Sequence, residues 1–166
     1  MESKTIAAKR NALHPKPAVL VSCRDAQGRD NALAVEYCCN CSFDPPMIMV
    51  AIHPARHSHA IIKETGVFVA NLVPASIKRQ FEYLGSKSGR DGDKLAFLGM
   101  NLGQAETIDA PLLLDCPVCI ECTVADSIRA GSHELFIGKI ERVHADESLV
   151  GEGGAVDWSR VDFLGL

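Results

Sequence analysis

Apolar positions along this chain fall into short runs bounded by turn residues. Residues 18–23 form one run, and residues 31–36 resume it after the turn-rich Asp25-Ala26-Gln27-Gly28-Arg29-Asp30. Two such runs across a glycine-bearing polar segment predict a β-hairpin with a longer loop around Gly28. Residues 47–52 (Met-Ile-Met-Val-Ala-Ile) are continuously apolar between Pro46 and Pro54 and predict a buried strand. A short helix is predicted over 58–65, stopped by Gly66, with the next strand over 67–73. Residues 74–84 predict a second helix: proline opens it, and Ile77, Phe81 and Leu84 recur at helical spacing. The polar segment 86–94, with two glycines, predicts a loop. Two long strand-like stretches, 118–128 and 135–145, flank a turn at Gly131-Ser132-His133. The glycine-rich stretch 151–155 predicts a mobile tail. With no repeat and no linker, the reading is one domain over 1–166. Many short strands and a few short helices predict a mainly β protein, a closed or partly open antiparallel barrel. Closure would remove the sheet edges that invite aggregation.

Composition narrows the class. A chain of 166 residues, 47% hydrophobic and 23% charged, can bury a core of its own. A net charge of −4 leaves no basic footprint for nucleic acid. No uncharged apolar run is long enough to span a membrane. Met1-Glu2-Ser3-Lys4 lacks the apolar heart of a secretion signal, so a cytoplasmic protein is expected. Seven cysteines, an odd number, argue against a closed disulfide framework and for reduced, mostly buried thiols.

Two segments carry candidate chemistry. The first runs from Asn31 past Tyr37 to Ser42 and the Pro45-Pro46 corner. It sets an amide, a ring and a hydroxyl at the ends of neighbouring strands, a pattern suited to a flat ligand with polar edges. The plainer readings are that Asn31 serves its turn and Tyr37 is a half-buried strand aromatic. The second is His53-Pro54-Ala55-Arg56-His57-Ser58, leading into a helix. Amides at a helix start, a hydroxyl and a guanidinium suit an anion; the plainer reading has Ser58 only capping the helix. His53, His57 and His59 invite a metal reading, but Pro54 prevents one helix from carrying the first two at i, i+4. Cys116, Cys119 and Cys122 resemble part of an iron–sulfur run lacking its fourth ligand. If 118–124 is a strand, Cys119 and Cys122 face opposite sides, so buried structural thiols are the favoured reading. Taken singly, Lys94 reads as a solvated loop lysine and His133 as a solvent-facing turn histidine. Neither Gly151-Glu152-Gly153-Gly154 nor Gly138-Lys139 completes a phosphate-binding loop, so any nucleotide must be held by another architecture.

Taken in order, these pieces resemble the flavin reductase-like family, the FMN-binding split barrel, and within it the flavoredoxin and ferric-reductase-like branch. The resemblance rests on Pro17-Ala18-Val19-Leu20-Val21-Ser22, on residues 28–31 and 42–52, and on Arg56-His57-Ser58. It continues through Thr65-Gly66-Val67-Phe68-Val69-Ala70-Asn71-Leu72, Asp93-Lys94-Leu95, Glu121-Cys122 and residues 133–140. It implies an antiparallel Greek-key barrel and a homodimer with one FMN per subunit. NADH or NADPH would be the electron source; free flavin, ferric iron or a redox protein would be the acceptor. A flavoredoxin-type carrier reduced by a protein donor is the alternative. Residue by residue, the resemblance implies flavin contacts at Asn31, Tyr37, Lys94, His133, Asn71 and the C-terminal Phe163. Ser58 and Arg56 would hold the phosphate. The backbone of Cys38, Cys39, Asn40, Cys41 and Ser42 would line the ring, although three cysteines replace the hydroxyl-rich loop usual there.

Overall fold

The computed structural model describes residues 4–10 and 12–165. Strand β1 (Val19–Arg24) is buried on both faces as far as Cys23, because both faces are covered. It pairs antiparallel with β2 (Asp30–Val35) on one side and β5 (Val67–Leu72) on the other. The two long strands β8 (Val118–Ala130) and β9 (His133–Ala145) form the hairpin closed at Gly131, whose φ of 59° suits glycine. With β3 (Cys38–Ser42) and β4 (Met47–Ile52) they complete one antiparallel seven-stranded sheet, ordered β2-β1-β5-β8-β9-β4-β3. The chain is 42% strand and 22% helix, a mainly β split barrel as expected.

Alternation along the strands divides the apolar residues between two cores. Val19, Val21, Cys23, Val50, Ile52, Phe68, Cys122 and Phe136 fill the inside of the curled sheet, with Ile61 and Ile62 of helix α1 (His57–Thr65). Leu20, Val69, Cys119 and Leu113 face the other side. Helix α2 (Lys78–Ser86) covers them through Phe81 and Leu84, and α3 (Lys94–Leu98) through Leu95. Cys119 and Cys122 thus lie in different cores, as strand geometry predicts.

Three local expectations are corrected, and two short strands come without a sequence signal. Residues 38–42 are a strand rather than a loop; its exposed, polar face gives no alternation, and backbone pairing with β4 alone defines it. Lys94 opens helix α3, capped by the Asp93 carboxylate accepting from the Ala96 amide at 2.9 Å, instead of closing a loop. Strands β6 (Leu102–Gln104) and β7 (Pro111–Leu113) are too short for a readable period. The run 151–155 is a tight turn rather than a free tail: Gly151 donates to the Ala155 carbonyl, and Val150 bridges Val156.

Candidate functional site

The end of β4 turns at His53 and Pro54 and feeds directly into α1. Gly66, at φ 70°, then reverses the chain into β5. This places the α1 N-terminus beside the start of β2, where Asn31 lies buried. Between them and α2 opens a cleft of about 920 Å³. Its walls are Leu33, Val35, Glu36 and Tyr37 from β2 and the link to β3, and Ile52, His53, Ala55 and Arg56 from the β4–α1 connection. Lys78, Phe81, Glu82, Gly85 and Ser86 of α2, with His133 and the C-terminal Leu164, line much of the rest. Three rings meet at the mouth. His133 stands edge-on to Tyr37 (centroids 5.4 Å apart) and to His53 (5.6 Å).

Leu33, Ala55 and Arg56 also wall a second, much smaller chamber of about 70 Å³. Asn31, His57, Ser58, Lys87, Ser88, Gly89 and Lys94 enclose it. Here the helix start presents amides that have no partner within the helix. Arg56 occupies the cap position but offers no side-chain cap. Ser58 is not the cap that its sequence context suggests: it is the second residue of α1, almost fully buried, and its Oγ accepts from Asn31 Nδ2 at 2.6 Å. The segment after α2 lies across the chamber. Arg90 donates to the Ala55 carbonyl at 2.9 Å, and Gly89 passes so close that a Cβ there would sit 2.3 Å from Asn31 Oδ1.

Lys94 overturns the solvated-lysine expectation. It is buried, and its ammonium donates to the carbonyls of Ala32 (2.7 Å), Lys87 (3.0 Å) and Leu84 (3.2 Å). Burial, then the nearby Arg56, brings its pKa down to about 8. His57 is also pushed below the usual histidine range, by burial first and then by Arg90 and Arg29. His133 is lowered by burial and by His53, Arg129 and Arg56. Both imidazoles are therefore neutral at pH 7. The chamber is cationic and rich in donors, with no carboxylate in its wall. That donor set fits a phosphate monoester, and the adjoining cleft, with apolar walls and ring edges, fits a flat heterocycle.

The structure gathers Asn31, Tyr37, Arg56, Ser58, Lys94 and His133 around these two joined cavities. Other expected contacts lie elsewhere. Asn71 is wholly buried in the barrel wall. Its amide donates to the Leu20 carbonyl and Ser22 Oγ, and its oxygen accepts from the Leu113 amide, so it ties β5 to β1 and β7. Cys38, Cys39, Asn40, Cys41 and Ser42 run along the sheet edge, outside the walls of both cavities. Phe163 lies with Trp158 in a separate groove of about 420 Å³. The three histidines once grouped by spacing diverge: His53 at the mouth, His57 at the chamber, His59 paired with Glu134 at 2.7 Å. Sequence reasoning missed Gly89 and Arg90, which nothing local connects to Asn31 and Ala55 far earlier in the chain. It also passed over the wall residues of α2, whose outer face reads as ordinary helix surface.

Residues 11–161 match the family model described as the flavin reductase like domain. The chain belongs to that family. Its backbone superposes on the flavoredoxin of Desulfovibrio vulgaris (Miyazaki F) with a TM-score of 0.89 and 28% identity, covering 99% of this chain and 93% of that one. It superposes on an FMN-binding protein of Thermus thermophilus, solved with 1-cyclohex-2-enone bound, with a TM-score of 0.80 and 26% identity, covering 94% and 85%. In sequence it is 26% identical over 122 residues to an NADH:riboflavin 5'-phosphate oxidoreductase of Streptomyces pristinaespiralis, covering 74% of this chain and 66% of that one. It spans 56% and 63% of the lengths of curated relatives from Aeropyrum pernix and Pyrococcus abyssi. Among the described residues, no helix is long and apolar enough to cross a membrane.

Proposed function

We propose that this flavin reductase-like chain binds FMN and passes electrons from NADH or NADPH through it to free flavin, ferric iron or a redox protein. The observation that carries the reading is the joining, at Arg56, of a wide ring-lined cleft to a small cationic chamber at a helix start. In this reading the isoalloxazine lies in the cleft beside Tyr37 and His133. The phosphate lies in the chamber, held by the first α1 amides, Ser58 Oγ and Arg56. Asn31 fixes the Ser58 hydroxyl, and Gly89 and Arg90 hold the strap that shuts water out. The bound flavin supplies the two-electron chemistry, and the protein supplies binding, orientation and charge. Neutral His133 offers a ring edge and a hydrogen bond rather than a fixed charge. The oxidoreductase of S. pristinaespiralis and the FMN-binding protein of T. thermophilus support this assignment. The same reading takes the chain to be a homodimer, which light scattering of the flavin-loaded protein would test.

The likeness to a flavoredoxin favours one second reading: an electron carrier reduced by a protein donor. An anaerobic absorbance spectrum separates the two. The reductase should be yellow with FMN and bleach on adding NADH or NADPH. A flavin that neither nucleotide bleaches, but that a ferredoxin-type donor reduces rapidly, identifies the carrier. A protein that neither retains nor takes up FMN sinks both.

A further inference from the structure

Every described residue from Lys4 to Pro15 is exposed, Ile6 by 99% and Leu13 by 83%. Residues 4–14 hold the cations Lys4, Lys9 and Arg10, and no acid. This arm leaves the body beside the apolar groove of about 420 Å³, which Pro15, Pro17 and Leu72 line together with Trp158, Phe163 and Leu164. The C-terminal segment is fixed there. Gly165 bridges Pro17, Phe163 bridges Pro74, and the Leu164 amide donates to the Val73 carbonyl at 2.9 Å. The indole of Trp158 nevertheless stays half exposed. Around it the chain is acidic: residues 146–162 carry Asp146, Glu147, Glu152, Asp157 and Asp162 against one cation, Arg160. Within a single chain the arm leaves the groove uncovered, because the groove wall starts at Pro15 and both large aliphatic side chains of the arm face solvent. A basic arm with bare aliphatic side chains and an aromatic groove in acidic surroundings are complementary in polarity and in charge.

We propose that the groove takes the N-terminal arm of a second copy, so that two copies exchange arms. The aliphatic side chains of each arm seat against Trp158 and Phe163 of the other copy, and its cations face the carboxylates around them. This uses the homodimer of the reading above but none of its flavin chemistry. A two-fold arrangement makes the two exchanges equivalent and leaves no arm or groove unmatched. Fully extended, residues 4–14 reach about 36 Å, comparable with the width of a domain of this size, so an arm can cross to a neighbouring body. Burial of the aliphatic side chains supplies the attraction, while the charges at the rim give orientation and a dependence on salt. Leu164 is a wall of the groove and of the larger cleft alike, so a docked arm also braces that end of the cleft.

Trp158 is the one tryptophan of the chain, so its fluorescence reports on the groove directly. The experiment follows the intact chain at fixed flavin content through a dilution series, by light scattering, tryptophan emission and acrylamide quenching. Paired copies should emit toward the blue and resist quenching, and dilution or added salt should expose the indole as the copies separate. Ile6→Glu combined with Leu13→Glu should raise the dissociation constant at least about tenfold and leave Trp158 open to quencher. Both positions are exposed, so the melting temperature of the separated chain should not change. Co-expression with an excess of Trp158→Phe then tells the copies apart, because that variant is silent but carries a native arm. Shielding of Trp158 should return in the arm variant when its groove receives that arm. Shielding in the wild type that ignores concentration, with no return on co-expression, puts the arm in its own groove and overturns the proposal. So does a wild-type indole as open to quencher as that of the arm variant at every concentration, or a dimer that the arm variant does not weaken. FMN binding that persists through any of these results leaves the flavin reading standing, and a wild type that takes up no FMN removes that reading without touching this one.

Discussion

Ser58 and Asn31 are separated by 27 positions and make one hydrogen bond between them, and much of the candidate site turns on it. The amide commits Nδ2 to the serine, whose hydroxyl also has the buried Cys23 thiol as a hydrogen-bond partner. Hydrogen bonds involving a charged group are worth about 1.5–3 kcal/mol each. Replacing Arg56 and Ser58 together by alanine should therefore weaken FMN at least about tenfold per lost contact while riboflavin changes little, as fluorescence titration of both flavins would show. Gly89→Ala should act at the same place by a different route. Its Cβ would push Asn31 off Ser58, so FMN affinity should fall, and melting temperature with it, because the hydrogen bond that is lost is buried. The cysteines divide by exposure. Cys39 and Cys41 are exposed, whereas burial pushes Cys23, Cys38 and Cys119 up to about 12, and Cys116 and Cys122 higher still. A thiol reagent should titrate two cysteines quickly in the native protein and the rest only after unfolding.

At the scale of elements, one buried carboxylate holds a whole connection. Glu121 of β8 is fully buried; it accepts from the amides of Glu106 and Thr107 at 2.8 Å each, from the Thr107 hydroxyl and from His144 on β9. Burial pushes its pKa up, but the hydrogen bonds from Thr107, Glu106 and His144 together outweigh that and bring it down to about 2. Glu121→Ala removes the acceptor that those donors share, and should loosen the 105–110 segment between β6 and β7 first. Hydrogen exchange there should rise before the barrel melts. Gly138 shows how closely β9 approaches β5: an added Cβ would meet Phe68 Cζ at 2.6 Å inside the barrel. Gly138→Ala should cost about 1–3 kcal/mol by overpacking, measurable by denaturant unfolding, with the flavin site left intact.

For the molecule as a whole, acid should be the weak side of its stability. Glu134 joins Glu121 as a carboxylate held at about 2, in this case by hydrogen bonds from Lys63, Ser127 and His59. Folded pKa values below the unfolded ones mean that this stabilisation is fully present above the ordinary glutamate range. It is lost as pH falls from about 4.5 toward 2. Melting temperature should therefore drop steeply below about pH 4, and Glu121→Gln combined with Glu134→Gln should start lower and decline more gently. Two cores on opposite faces of one sheet make this coupling global. The outer layer of α2, α3 and the β6–β7 hairpin packs against β1 and β5, whose other faces fill the barrel, so loss of one layer exposes strands of the other.

Strand runs, the α1 and α2 segments, the β8–β9 turn and the mainly β class were legible from the chain alone, because period, proline and glycine act locally. So were the separate faces of Cys119 and Cys122, which follow from alternation, and the residue types gathered at the site, through their order along the chain. Tertiary structure decided what each does. It turned Ser58 from a helix cap into the acceptor of Asn31. It buried Lys94 among three carbonyls, withdrew Asn71 into the wall, and set β3 and Phe163 outside the cleft. Each outcome depends on atoms brought together from distant positions, and a hydrogen bond between such atoms leaves no period in the sequence. Only the closed packing of the sheet determines which polar groups meet and which are left facing a ligand.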